Sequence, residues 1–94
     1  SDQPAYASVK LMVSPELMEK LNRQYILLDE IQQVIYRAET SGCKLLDNET
    51  GHYIAHLQIG IITYWVEYVQ SSSEDTYTLC NAYSHRIQIQ EEVK

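Results

Sequence analysis

The stretch HYIAHLQIGIITYWVEYVQ, His52–Gln70, decides how this chain folds. It alternates with a period of two, is rich in β-branched and aromatic residues, and is broken once by a glycine. That is the pattern of two strands joined by a tight turn. The spacing predicts a strand over His52–Gln58, a turn at Ile59–Gly60 with Gly60 at positive φ, and a longer strand over Ile61–Gln70. The second strand is the most apolar and belongs at the centre of a sheet. Its alternation puts Ile62, Tyr64, Val66 and Tyr68 on one face and Thr63, Trp65, Glu67 and Val69 on the other.

Downstream, Ser71–Asp75 is a polar loop and Thr76–Gln90 alternates as a third strand. Strict alternation turns Tyr77, Leu79, Asn81, Tyr83, His85, Ile87 and Ile89 toward the helices, with Thr76, Thr78, Cys80, Ala82, Ser84, Arg86, Gln88 and Gln90 opposite. Tyr53 and Tyr83 are then expected as cross-strand neighbours. Upstream, Asp47–Gly51 gathers turn formers and Cys43–Leu46 reads as a short extended run. A helix precedes it, with Asp29 as N-cap and Gln32 completing a capping-box pattern. Ile31, Val34, Ile35 and Ala38 form its apolar stripe, Glu30, Gln33, Arg37 and Glu39 face out, and Gly42 ends it. Ser14-Pro15-Glu16 starts an earlier helix that carries Leu17, Met18 and Leu21 and fades near Asn22–Gln24. Tyr6–Val13 reads as a first strand, with Ala7, Val9, Leu11 and Val13 on one face. Residues 1–5 form a leader, 6–90 a single domain and 91–94 a charged tail. The order β-α-α-β-β-β predicts a two-layer α+β fold, two helices packed on an antiparallel meander. The first strand either joins the meander at an edge or reaches across to a partner chain.

Ninety-four residues make one domain, and a hydrophobic share of 45% supports a core. Eight tyrosines and one tryptophan stand without a single phenylalanine. Thirteen acidic residues against seven basic give a net charge of −6 and a pI near 4.8. That balance opposes DNA, RNA and anionic membrane surfaces, which attract basic patches. No apolar run approaches the roughly 18–20 residues of a membrane span. The polar start, Ser1-Asp2-Gln3-Pro4, lacks a signal-peptide core, and two cysteines build no disulfide scaffold. The expected location is the cytoplasm, with Cys43 and Cys80 as free thiols.

Few residues point to chemistry. His52 and His56 on one strand lie about 13 Å apart at about 3.3 Å per residue, too far to share a metal ion. Cys80 and His85 fall on opposite faces by parity unless a bulge at Asn81–Ala82 intervenes, and Cys43 follows a helix C-terminus, where the dipole disfavours a thiolate. Three scattered glycines cannot cradle a phosphate, and DNETG (Asp47–Gly51) lacks the ligand spacing of a calcium loop. No metal or cofactor is expected. The aromatic residues stand out instead: Trp65, with its face-mates Thr63 and Glu67 and with Tyr83 nearby, sits where a sheet face has no helix to cover it.

The element order, the hairpin YIAHLQIGIITYWVEYV and the segment Asn81–Arg86 resemble the RelE/ParE-type toxins. That resemblance implies ribosome-dependent mRNA cleavage, with His85 and Arg86 matching the family's His-Arg pair. Thr63 stands where the family carries a basic residue, no tyrosine follows Arg86, and the helices are acidic rather than lysine-rich. The stretches KLLDNETGHYIAHLQIGIITYWVEY and NAYSHR are also similar to small domains found with flavin and iron–sulfur oxidoreductases of anaerobic bacteria, which implies an accessory, small-molecule-binding role. Dinucleotide and cluster-binding motifs are absent from the sequence. The leading expectation is a non-catalytic interaction or accessory domain that docks a protein partner, or a second copy of itself as a homodimer, through Trp65, Thr63, Glu67 and Tyr83. The alternatives are toxin-type RNA cleavage by His85 and Arg86, and small-molecule binding between helices and sheet.

Overall fold

A computed structural model describes residues 4–71 and 75–86. After a 3-10 turn at Ala5–Ser8 come β1 (Lys10–Met12), α1 (Pro15–Arg23), α2 (Leu28–Ser41), β2 (Leu45–Leu46), β3 (Tyr53–Ile59), β4 (Ile62–Gln70) and β5 (Thr76–Arg86). The strands form one sheet in the order β1-β5-β4-β3-β2, and both helices contribute to the core that it buries. The domain is a two-layer α+β fold.

The hairpin that organises the sheet forms as its sequence dictates, shifted by one residue. Ile59 pairs with Ile62, so the two-residue loop is Gly60-Ile61 rather than Ile59-Gly60. Gly60 has φ +66° and Ile61 is not in the positive region, the sign pattern of a type II′ turn. β4 sits at the centre, with Tyr64, Val66 and Tyr68 buried toward the helices. Two edges differ from a plain meander. The extended run after Gly42 becomes a fifth strand, β2, on β3. The first strand contracts to three residues, because Ala5–Ser8 coils, and pairs parallel with β5 through Lys10↔Thr76 to Met12↔Thr78. Gln32 Nε2 donates to the Val9 carbonyl at 2.7 Å and holds that edge to α2. The segment 87–90, expected to extend β5, lies outside the described residues.

Ser14 caps α1, accepting from the Leu17 N–H at 3.2 Å. The helix ends in a Schellman motif: Ile26 N–H bonds the Leu21 carbonyl at 2.9 Å and Tyr25 N–H the Asn22 carbonyl at 3.2 Å. Leu21 and Ile26, the hydrophobic pair of that motif, are both buried. Tyr25 therefore takes the left-handed position usually held by glycine, with φ +59° and 88% of its surface exposed. α2 starts two residues earlier than its sequence implies. Its N-cap is Leu27, whose N–H donates to Glu30 Oε1 at 3.0 Å, while Asp29 lies in the first turn and accepts from the Tyr6 hydroxyl at 3.2 Å. Ile31, Val34, Ile35 and Ala38 are buried as the stripe predicts, and Gly42 ends the helix at φ +77°. Glu39 does not face out. Its Oε2 accepts from the Tyr68 hydroxyl at 2.7 Å and pairs with Lys44 Nζ at 2.7 Å.

Replacing Tyr25 by glycine removes the left-handed strain while losing almost no buried surface. Tyr25→Gly is expected to raise unfolding stability by about 0.5–1 kcal/mol in urea titrations. The buried tyrosines set an alkaline limit. Burial first, then the hydrogen bond to Glu30, pushes the Tyr64 hydroxyl up to about 12, and burial with the Glu39 bond raises Tyr68 as well. A phenol whose folded value lies above its unfolded value of 10.0 stabilises the fold fully below that pH. Stability measured by urea unfolding should fall as pH rises from 10 toward about 12. Tyr64→Phe should flatten part of that slope.

Candidate functional site

One extra residue in β5 determines what the uncovered sheet face carries. Tyr68 pairs with Leu79 and Glu67 with Asn81, which leaves Cys80 as a β-bulge. Tyr77 and Leu79 before the bulge point to the core, and beyond it the core position passes to Ala82. Tyr83 and His85 turn outward, opposite Trp65 and Thr63. Strict alternation had placed them against the helices. It fails because a bulge shifts the parity of everything after it. The sequence does hold a faint signal: the apolar spacing lengthens from two, Tyr77 to Leu79, to three, Leu79 to Ala82. The expected Tyr53–Tyr83 pairing is also absent. Tyr53 pairs with Tyr68 on the covered face, ring centroids 6.0 Å apart.

On the open face three rings, one each from β3, β4 and β5, form a row across the sheet. His56 stacks on Trp65 with centroids 4.6 Å apart and planes at 24°. Trp65 stacks on Tyr83 at 6.3 Å and 10°. Cross-strand register fixes this order, since His56, Trp65 and Tyr83 are direct partners. Tyr83 is 49% exposed. Thr63 occupies the neighbouring row between Gln58 and His85. Ile54, His56 and Trp65 also wall a cavity of about 330 Å³ whose other side is the α2–β2 connection, Gly42–Lys44, with Leu45 of β2.

Beside this shelf lies a polar trio that spacing within single strands could not reveal. His52 Nδ1 is 2.6 Å from Glu67 Oε2, and His52 Nε2 is 3.7 Å from Cys80 Sγ. The His52 and Glu67 side chains retain 31% and 28% of their exposure. A carboxylate only accepts, so Nδ1 carries the hydrogen and, in the neutral ring, Nε2 offers its lone pair to the thiol. Burial, with a smaller contribution from the Glu67 charge, raises the Cys80 thiol above its ordinary value. Glu67, expected as a contact residue, is thus engaged within its own face. The histidine that meets Cys80 is His52 and not His85. His85 and Arg86 are exposed on opposite faces of β5 and are not brought together. His52 turns to Glu67 and His56 to Trp65, and among the described residues no group of three His, Cys, Asp or Glu side chains, the trio included, is arranged to hold a metal ion. Cys43 is a separate, exposed thiol.

The bulge is checked by two substitutions whose expected effects invert under strict alternation. Ala82→Glu, at a position 1% exposed, should cost at least about 3 kcal/mol in urea unfolding or abolish folding. Tyr83→Glu should cost about 1 kcal/mol or less. Among the described residues no helix is long and apolar enough to cross a membrane. No family model matches the chain, and neither the curated proteins nor the solved structures give a match.

Proposed function

We propose that this domain is a non-catalytic interaction module whose open sheet face docks a protein partner of basic character. The row His56–Trp65–Tyr83 carries this reading. Large flat rings held by register present apolar area without the entropy cost of ordering long side chains. Half-exposed tyrosine and tryptophan are the side chains that most often anchor interfaces. Net charge selects the partner: two copies at −6 each repel, whereas a basic protein is drawn in and oriented. Thr63 and His85 form a polar rim to one side of the rings, and the His52–Glu67 pair forms one to the other.

Trp65 is the only tryptophan, so its fluorescence reports on this face alone. A basic protein retained by the wild-type domain should be lost to Trp65→Ala/Tyr83→Ala. Its purified form should shift Trp65 emission to the blue and bind more weakly as salt rises. Retention by the double variant with unmoved emission would refute the docking role of this face. A stable dimer in sedimentation that the double variant breaks would replace the basic partner with a second copy.

A further inference from the structure

The docking surface uses His52 and Glu67 only as part of its polar rim and gives Cys80 no role, although the trio Cys80–His52–Glu67 has the arrangement of an activated nucleophile. A thiol faces an imidazole nitrogen, and the other ring nitrogen is held by a carboxylate. Glu67 lies in β4, Cys80 is the bulged residue of β5 beside it, and His52 sits just before β3, the strand on the other side of β4. We propose that Cys80 is a thiol–disulfide exchange site that takes low-molecular-weight disulfides, with His52 as its proton acceptor and Glu67 as a positioning residue.

The step balances within these groups. Cys80 Sγ attacks one sulfur of the disulfide RS–SR as the thiol proton passes to His52 Nε2. The new Sγ–S bond forms while the RS–SR bond breaks, and the departing sulfur takes the proton back from Nε2 and leaves as RSH. Cys80 is oxidised to a mixed disulfide, one sulfur of the reagent is reduced, and His52 ends neutral. The class of substrate follows from where charge develops. In this exchange it stays on large, polarisable sulfur atoms, whereas acyl transfer builds charge on an oxygen that needs a set of aimed donors.

Resting chemistry agrees with a base-assisted thiol. Burial and the Glu67 carboxylate keep Cys80 protonated, so a neighbouring acceptor is required at the moment of attack. A thiolate released from such a thiol is also the stronger nucleophile. Among the described residues, the titratable groups brought to Cys80 are His52 and Glu67; from its own strand it meets the Thr78 carbonyl, 3.8 Å from Sγ.

Cys43, exposed and apart from the trio, makes an internal reference thiol. The probe is 4,4′-dithiodipyridine, an uncharged aromatic disulfide whose released thiopyridone is read by absorbance. Cys43→Ser protein, which reacts only through Cys80, should react at least tenfold faster folded than unfolded in urea at the same pH. It should also outpace folded Cys80→Ser protein, which reacts only through Cys43. Burial alone predicts the reverse, a thiol slower in the fold than in urea, and that result overturns the proposal without any change at His52. In the Cys43→Ser background His52→Ala should lose at least tenfold, and added imidazole should restore part of the rate. Glu67→Gln, which keeps an acceptor for Nδ1–H, should retain more of the rate than Glu67→Ala. An unchanged rate in a folded His52→Ala protein also overturns the assignment. If His52→Ala does not fold, the folded-against-urea comparison decides.

Discussion

The hydroxyl of Tyr68 ends at the helix–sheet boundary, and most of the domain is arranged so that it is not left unbonded there. The side chain has no solvent exposure, and an unpaired hydroxyl at that depth would cost about 1–3 kcal/mol. Glu39 reaches in from the last turns of α2 to accept its hydrogen, and a partly buried carboxylate in turn needs a cation. Lys44 supplies it from the α2–β2 connection, with Nζ also lying 4.1 Å from the centre of the Tyr53 ring. Tyr77 packs edge-on against Tyr68 at 5.6 Å and 83°. One phenol thereby joins α2, the connection after it, and strands β3, β4 and β5. Tyr64 repeats the device with Glu30 at the start of the same helix. These two pairs give the composition a structural meaning. A core built with tyrosine in place of phenylalanine needs acceptors at its rim, and part of the chain's acidity serves that need.

The open face depends on a second constraint, the single inserted residue at Cys80. Without it, Tyr83 would compete for core space that Ala82 fills, and Trp65 would lose one of its two ring neighbours. The bulge also sets the thiol beside His52. Bulges re-aim side chains at a modest cost in ladder bonds, and here one irregularity assembles both the aromatic shelf and the polar trio. The outer side of β5 is bracketed nearby: Lys20 of α1 donates to Asn81 Oδ1 at 2.6 Å, and the Ala82 N–H to the same oxygen at 2.9 Å. The side chain next to the bulge thus accepts a backbone N–H of its own strand.

What was legible in the sequence followed periodicity. The α2 stripe, the two faces of β4 and the left-handed Gly42 all lie where spacing puts them, because burial of one face outweighs local preference. What was not legible required distances across strands. Asp29 has a better capping side chain than Leu27, yet α2 starts at Leu28, since Glu30 satisfies the first N–H from within the helix and Asp29 is drawn to Tyr6. Glu39 looks like a surface residue until the depth of Tyr68 is known. Trp65 was readable as an uncovered residue of β4; its stacking partners depended on register and, for Tyr83, on the bulge. The thiol trio was hidden because its members are 15 and 13 positions apart and meet only through pairing.

The parallel pairing of β1 with β5 has a kinetic consequence. Every other neighbour in the sheet is reached through a hairpin or short connection, but Lys10 finds Thr76 only after almost the whole described chain lies between them. Closing so long a loop costs entropy before any ladder bond is gained, and such contacts slow folding. The β3–β4–β5 meander and α2 can collapse first, on contacts that are local along the chain. Within this domain the earliest strand is then the last to be seated, and until β5 has formed Leu11 waits without its strand partner.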